Sequence, residues 1–203
     1  MLKVGLTGGL ASGKTFVAKQ FKELGARVIH ADALGHEVLL PTGEAYAEVV
    51  EEFGREIVGP SGEIDRKKLA GIVFPNPEKL ERLNALVHPH VWRRQDAFFE
   101  AVAAEDSDAV AVIESALLVE TGAYKRYERL VVAACPPEEQ VRRYMKRDGG
   151  TEEEARARMA RQRPLAEKLE LADYVVDTSG DYEDTRRRAA EIYAKLEAEA
   201  RSR

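Results

Sequence analysis

The sequence predicts an α/β protein framed by a parallel sheet. Residues 2–30 read as strand, helix, strand, the unit that places two parallel strands side by side. Ala109 to Ile113 and Leu130 to Ala134 are continuous apolar runs, as strands covered on both faces require. Between these parts, residues of helical character run from about Leu34 to Val102, without a convincing strand.

The first strand is Leu2 to Thr7, broken by Gly8 and Gly9. From Thr15 to Leu24, Phe16, Val17, Phe21 and Leu24 share the apolar side of a helix, and Gly25 suits the position after its end. Arg27 to His30 forms the second strand. Leu40-Pro41-Thr42-Gly43, Gly59-Pro60-Ser61-Gly62 and Phe74-Pro75-Asn76-Pro77 punctuate the helical stretch, with Pro77 placed to open a helix. Pro136 and Pro137 stop the fourth strand. A strongly charged helical region, Glu138 to Arg163, follows, interrupted by Gly149-Gly150. Tyr174 to Val176 is a fifth strand, and an amphipathic helix runs from Tyr182 to the C-terminus.

Hydrophobic residues make up 44% and charged residues 33% of the 203 residues, which excludes a mainly disordered chain. The net charge of −5 argues against a sequence-independent nucleic-acid binder. One cysteine, Cys135, excludes an intrachain disulfide framework and a cysteine-rich zinc site. No apolar run is long enough to span a membrane, and the first strand starts too early for a signal peptide, so the expected location is the cytoplasm.

Gly8-Gly9-Leu10-Ala11-Ser12-Gly13-Lys14-Thr15 fits G-x-x-x-x-G-K-[ST]. Glycines let the backbone wrap a phosphate with its N–H groups turned inward, and the helix opening at Gly13 adds its positive end. Lys14 reaches the β- and γ-phosphates and the Thr15 hydroxyl can ligate Mg²⁺. The expected ATP-binding residues are Gly8, Gly9, Ala11, Ser12, Gly13, Lys14, Thr15 and Phe16. Asp32-Ala33-Leu34-Gly35 and Asp177-Thr178-Ser179-Gly180 match D-x-x-G, but no N-K-x-D for guanine is present, which weakens a GTPase switch.

Asp32 follows the second strand at the edge where ligands lie in open α/β sheets. There it can accept a substrate proton or hold Mg²⁺ through water; the alternative is a cap for a helix beginning near Ala33. Glu114 follows the third strand, suited to a second carboxylate on the magnesium side or to a partly exposed strand end. Arg142, Arg143, Arg147, Arg156, Arg158, Arg161 and Arg163 form either a solvated, ion-paired helix or a mobile lid acting on the transferred phosphoryl group.

These segments together resemble the dephospho-CoA kinase family over nearly the whole chain. Val4 to Gly9 with Ser12 to Thr15 resembles the family's opening, and Val28-Ile29-His30-Ala31-Asp32 its second strand, usually D-A-D. Asn84 to Pro89 is similar to its HP segment, Leu117-Leu118-Val119-Glu120 to its P-L-L-[FV]-E box, and Arg147-Asp148-Gly149 and Ala172 to Asp177 to its late motifs. Ala11 stands for a usual Gly, His30 for the first Asp, Ala116 for Pro and Thr178 for Asn.

The resemblance implies a three-layer P-loop kinase fold with a five-stranded parallel sheet. The core would be residues 1–36, 90–135 and 166–203, with a helical substrate-binding insertion over 37–89 and a helical lid over 136–165. It implies phosphorylation of the dephospho-CoA 3′-hydroxyl by ATP with Mg²⁺; another P-loop nucleotide or nucleoside kinase is the alternative. Asp32, Lys14 and Arg147 would be catalytic, and Thr15 and Glu114 would face the metal. His88 is expected to fix a turn before Pro89 or to touch substrate. ATP and dephospho-CoA are the expected partners of a monomer that binds neither nucleic acid nor membrane.

Overall fold

The computed structural model describes residues 1–203. Five strands form one sheet: β1 (Leu2–Gly8), β2 (Arg27–His30), β3 (Val110–Glu114), β4 (Arg129–Ala134) and β5 (Tyr174–Asp177), in the order β2-β3-β1-β4-β5. β1 pairs in parallel with both β3 and β4, and β4 with β5. From β1 the chain moves one way, to β2; from β3 it crosses over β1 to β4. The sequence between β1 and the next helix therefore leaves the sheet at a topological switch point, where neighbouring connections diverge and open a crevice.

The three central strands, β1, β3 and β4, are almost wholly buried, and helices pack on the core they form. Helix α1 (Lys14–Glu23) lays Val17, Ala18 and Phe21 on the sheet beside Leu2, Val4, Val110 and Val131. The C-terminal helix, running over Tyr182–Arg201, joins the same core through Ala189, Tyr193 and Leu196. Rings of Phe21 and Tyr193 meet at 5.9 Å between centroids. Burying a large apolar side chain contributes about 1.5–3 kcal/mol, so this cluster is what fixes the sheet and its crevice.

The chain forms two compact units, residues 1–29 with 99–203, and residues 30–98. The second unit contains α2 (Ala31–Glu37), α3 (Tyr46–Phe53), α4 (Arg66–Val73) and most of α5 (Pro77–Glu105). Its own core includes Val38, Val49, Ile57, Leu69, Val73 and Val91. Asp65 caps α4 by accepting from the Lys67 and Lys68 N–H groups. Arg94 on α5 binds Glu37 at 2.6 Å and Glu44 at 2.9 Å, tying this unit's helices together at their surface. The insertion expected over 37–89 lies within this unit.

Three expectations need correction. No turn forms at His88-Pro89: Pro89 is inside α5, which continues through it. The missing N–H removes one intrahelical bond, and flanking apolar residues packed on the unit's core carry the helix past it. His88 is half-buried with its ring 5.6 Å from that of Trp92, and burial lowers its pKa. The third strand also extends one residue further than expected, taking in Glu114. Finally, the charged region after β4 is not a uniformly solvated helix. Helix α6 (Pro137–Asp148) buries Gln140, Val141 and Tyr144, whereas α7 (Glu152–Met159) buries only Ala155.

Candidate active site

The phosphate loop begins as β1 ends and closes on the first turn of α1. Gly8 has no room for a side chain: a Cβ there would lie 2.5 Å from the Ala133 carbonyl oxygen and 2.4 Å from Ser12 Oγ. Gly13, the N-cap of α1, has φ 85°, a left-handed conformation that glycine adopts without penalty. The first N–H groups of α1 have no intrahelical partner, so they and the helix dipole suit a bound anion. Gly9 packs against the Gln140 amide. Ser12 is fully buried, its hydroxyl without a hydrogen-bond partner.

Ala11 departs from this economy. Its φ is 50°, making it the one non-glycine residue in the left-handed region. A Cβ in that conformation costs about 1–2 kcal/mol. The family-like glycine missing at this position is thus a backbone requirement that the sequence does not reveal by itself.

Side chains brace the loop from behind. The Thr178 hydroxyl, just past β5, donates to the Ser12 carbonyl at 2.7 Å. Arg143 on α6 donates to the Thr178 carbonyl at 2.5 Å and to Glu139 at 2.6 Å. Gln140 donates to the Cys135 carbonyl at 3.1 Å. Leu10 and Ala11 pack against Val141, Tyr144 and Ala155. The two arginines beside Glu139, Arg142 first and Arg143 second, hold its pKa at about 2.

Lys14, Thr15 and Glu114 come together in front of the loop. Lys14 Nζ is 3.9 Å from Glu114 Oε1, and the Thr15 hydroxyl donates to the same oxygen at 3.5 Å. Glu114 is 7% exposed, so it is a buried acid facing the loop rather than an exposed strand end. The three present hard oxygen ligands and one cation. A divalent cation such as Mg²⁺ keeps several waters and needs only one or two protein oxygens, so the set fits it.

A cavity of about 680 Å³ opens from Gly13, Lys14, Thr15 and Phe16. Arg142, Arg143, Lys146 and Arg147 of α6 line its opposite wall. Phe16 and Tyr182, both lining it, meet at a tilt with ring centroids 5.0 Å apart. Arg147 pairs with the adjacent Asp148 at 2.8 Å and keeps a largely exposed side chain. Positive groups facing a phosphate loop across a crevice form a polyphosphate site.

Asp32 belongs to the other compact unit, in the first turn of α2, two residues past β2. The N-cap of that helix is His30, which makes no side-chain cap, so Asp32 is not the cap. Its carboxylate is exposed. Of the arginines after Glu138, Arg156 pairs with Glu138 and Glu152 and Arg163 with Glu167.

Sequence reasoning missed Gln140, Gln162 and Lys168, and weighed Thr178 only as a departure. Each acts through backbone partners brought near by folding, and no local spacing signals that. Lys168 is 1% exposed and bonds Glu120 at 2.7 Å, a pairing between residues far apart in the chain.

A family model described as dephospho-CoA kinase matches residues 2–184. A dephospho-CoA kinase of Geobacillus kaustophilus is 43% identical, covering 97% of this chain and 98% of that one. One from Aquifex aeolicus is 40% identical, with 97% and 98% covered. Among solved structures, TT1252 of Thermus thermophilus superposes with a TM-score of 0.81 at 34% identity, covering 96% of this chain and 97% of that one. The dephospho-CoA kinase of Campylobacter jejuni gives 0.63 at 25% identity, with 96% of each chain covered. A shikimate kinase of Acinetobacter baumannii, at 14% identity with 98% of this chain and 94% of that one covered, shares the fold with a TM-score of 0.52. With a phosphate loop at the sheet's switch point and likeness across almost its full length, this chain belongs to the dephospho-CoA kinase family.

Proposed function

We infer that this protein transfers the γ-phosphoryl group of ATP to the 3′-hydroxyl of dephospho-CoA, giving coenzyme A and ADP. The observation that carries the reading is the phosphate loop facing a cationic wall across one cavity, in a chain of this family. The triphosphate lies along residues 8–16. Backbone N–H groups at the α1 N-terminus bind phosphate oxygens, and Lys14 neutralises charge on the β- and γ-phosphates.

The 3′-oxygen attacks the γ-phosphorus. A new O–P bond forms as the bond to the β,γ-bridging oxygen breaks, and ADP leaves. Asp32 orients the hydroxyl and takes its proton; its exposed position in the first turn of α2, just past β2, supports this assignment. Arg147 meets charge on the transferred group, supported by its place on the cavity wall. Thr15 and Glu114 would hold Mg²⁺, which when bound would supply neutralisation of phosphate charge.

Residues 37–89 provide the wall for the acceptor's pyrophosphate and pantetheine arm, and residues 136–165 serve as the lid. No helix of the protein is long and apolar enough to cross a membrane; the reading places the enzyme with its nucleotide pool in the cytoplasm. The test is ADP release from Mg·ATP with dephospho-CoA, AMP or adenosine as acceptor. Remote binding energy from the long acceptor should raise kcat as well as kcat/KM. AMP or adenosine turning over equally well would make the protein a nucleotide or nucleoside kinase instead.

A further inference from the structure

We propose that Gln162 is a positioning residue that holds the phosphate loop in its strained form. Two observations meet here. Ala11 carries a Cβ in the left-handed region, where the loop's backbone path suits glycine. The Leu10 N–H, one residue earlier, donates to Gln162 Oε1 at 2.9 Å. Leu10 alone of residues 8–16 is not among those expected to bind ATP, so this bond and nucleotide do not compete for its N–H.

Gln162 is itself held. Its own N–H donates to the Met159 carbonyl at 2.9 Å, at the end of α7. The next N–H, of Arg163, donates to Glu120 Oε1 at 3.0 Å. Lys168, buried on the helix Leu165–Leu171, binds that same Glu120 oxygen at 2.7 Å and the Ala116 carbonyl at 3.3 Å. The Thr7 hydroxyl donates to that carbonyl too, at 3.3 Å. The bonds thus run from β1 through Ala116, Lys168, Glu120 and Gln162 back to the loop that β1 delivers. A closed path of this kind restrains Leu10 from a direction independent of the loop's own backbone. Without it, Ala11 is free to relax to negative φ, and the nest of N–H groups opens.

A strained conformer that an outside bond helps to retain lowers apparent affinity by its lost population when that bond is cut, while the chemistry of the bound state is untouched. The inference rests on residues 8–16 binding the ATP phosphates. Calorimetry of Mg·ATP binding, steady-state kinetics and amide exchange at Leu10 test it in a double-mutant cycle of Gln162→Leu with Ala11→Gly. Gln162→Leu should weaken ATP about tenfold and change kcat at saturating ATP by less than about threefold. In the Ala11→Gly background the same substitution should cost less than about threefold, because glycine needs no such restraint. Equal losses in both backgrounds, or no loss in either, would overturn the proposal. Gln162→Asn, one methylene shorter, repeats the cycle should the leucine variant not fold.

Leu10 exchange needs no variant and no nucleotide. Its amide should be protected in the unaltered protein, and exchange at the rate of an open loop overturns the latch. Wild-type protein that fails to bind ATP would instead refute the phosphate reading, with the Leu10 result still standing on its own.

Discussion

The phosphate loop and helix α2 each follow a strand of the same sheet, yet they are held in opposite ways. The loop is fixed by Thr178, Gln140, Gln162 and a buried cluster, firmly enough to keep Ala11 left-handed. Helix α2 spans seven residues, buries none of them and starts without a side-chain cap. A site that binds a triphosphate must present many N–H groups at once, so rigidity contributes directly to affinity. A single proton acceptor needs reach and protonation state more than a fixed frame. The charged region after β4 repeats the contrast within itself, with a rooted α6 and a lightly held α7.

Breaking the lightly held side should cost chemistry and little stability. Asp32→Asn keeps the shape of the side chain but removes the proposed base, and kcat should fall on the order of 10²–10⁴ with ATP affinity nearly unchanged. The first-turn position of Asp32 favours α2 through the helix dipole by about 0.3–1 kcal/mol, and the melting temperature should move by a few degrees. A large drop in melting temperature with kcat preserved would show that Asp32 serves the fold.

On the rigid side, Lys14→Ala should lower kcat/KM on the order of 10²–10³ while leaving melting nearly unaltered. Lys14 lies at the loop's open face, 3.9 Å from Glu114, and belongs to no apolar cluster. The loop's frame comes from its neighbours, so removing the charge should spare the frame. Wild-type rates from the purified variant would end the assignment of the loop to ATP.

Hydrogen exchange sharpens the contrast within the charged region. Amides of α7 should slow several-fold when ATP and dephospho-CoA are both bound, as a lid closes. Those of α6 around Val141 and Tyr144 should be protected already in the free protein, because those side chains are buried. Equal protection of α7 in both states would remove the lid and leave a fixed wall.

How much of this was legible depends on how local the cause was. The loop, its strand and its helix could be read because glycines and Lys14-Thr15 are adjacent, and β3 and β4 because apolar runs declare burial. The helix break at Gly149-Gly150 was visible for the same reason. His88-Pro89 misled, since proline's local preference for a break was overridden by apolar residues packing on both sides of it. The requirement at Ala11 showed only as an alanine where the resembling family has Gly; the left-handed angle behind it comes from the folded loop. Gln162 and Lys168 were hidden, and Glu120 showed only as the end of a motif, because their partners are main-chain groups and side chains distant in the sequence.

The smallest expected effect tests whether the loop's brace is electrostatic as well as packed. Glu139 accepts from Arg142 at 2.8 Å and from Arg143 at 2.6 Å, and Arg143 in turn holds Thr178, which holds Ser12. Its folded pKa of about 2 lies below the ordinary value of 4.5, so the unfolded chain takes up the proton first as pH falls. The stabilisation is complete above the unfolded value and is lost between about 4.5 and about 2. Linkage sets a ceiling of about 3 kcal/mol, and solvent exposure of Arg142 brings the expectation nearer to about 1 kcal/mol. Glu139→Gln should therefore lower stability to denaturant by that amount at pH 7, with the difference shrinking through the acid range until it vanishes near pH 2. A gap that stays constant with pH would mean that Glu139 braces the loop through shape alone, and that the arginines keep Thr178 in place without its charge.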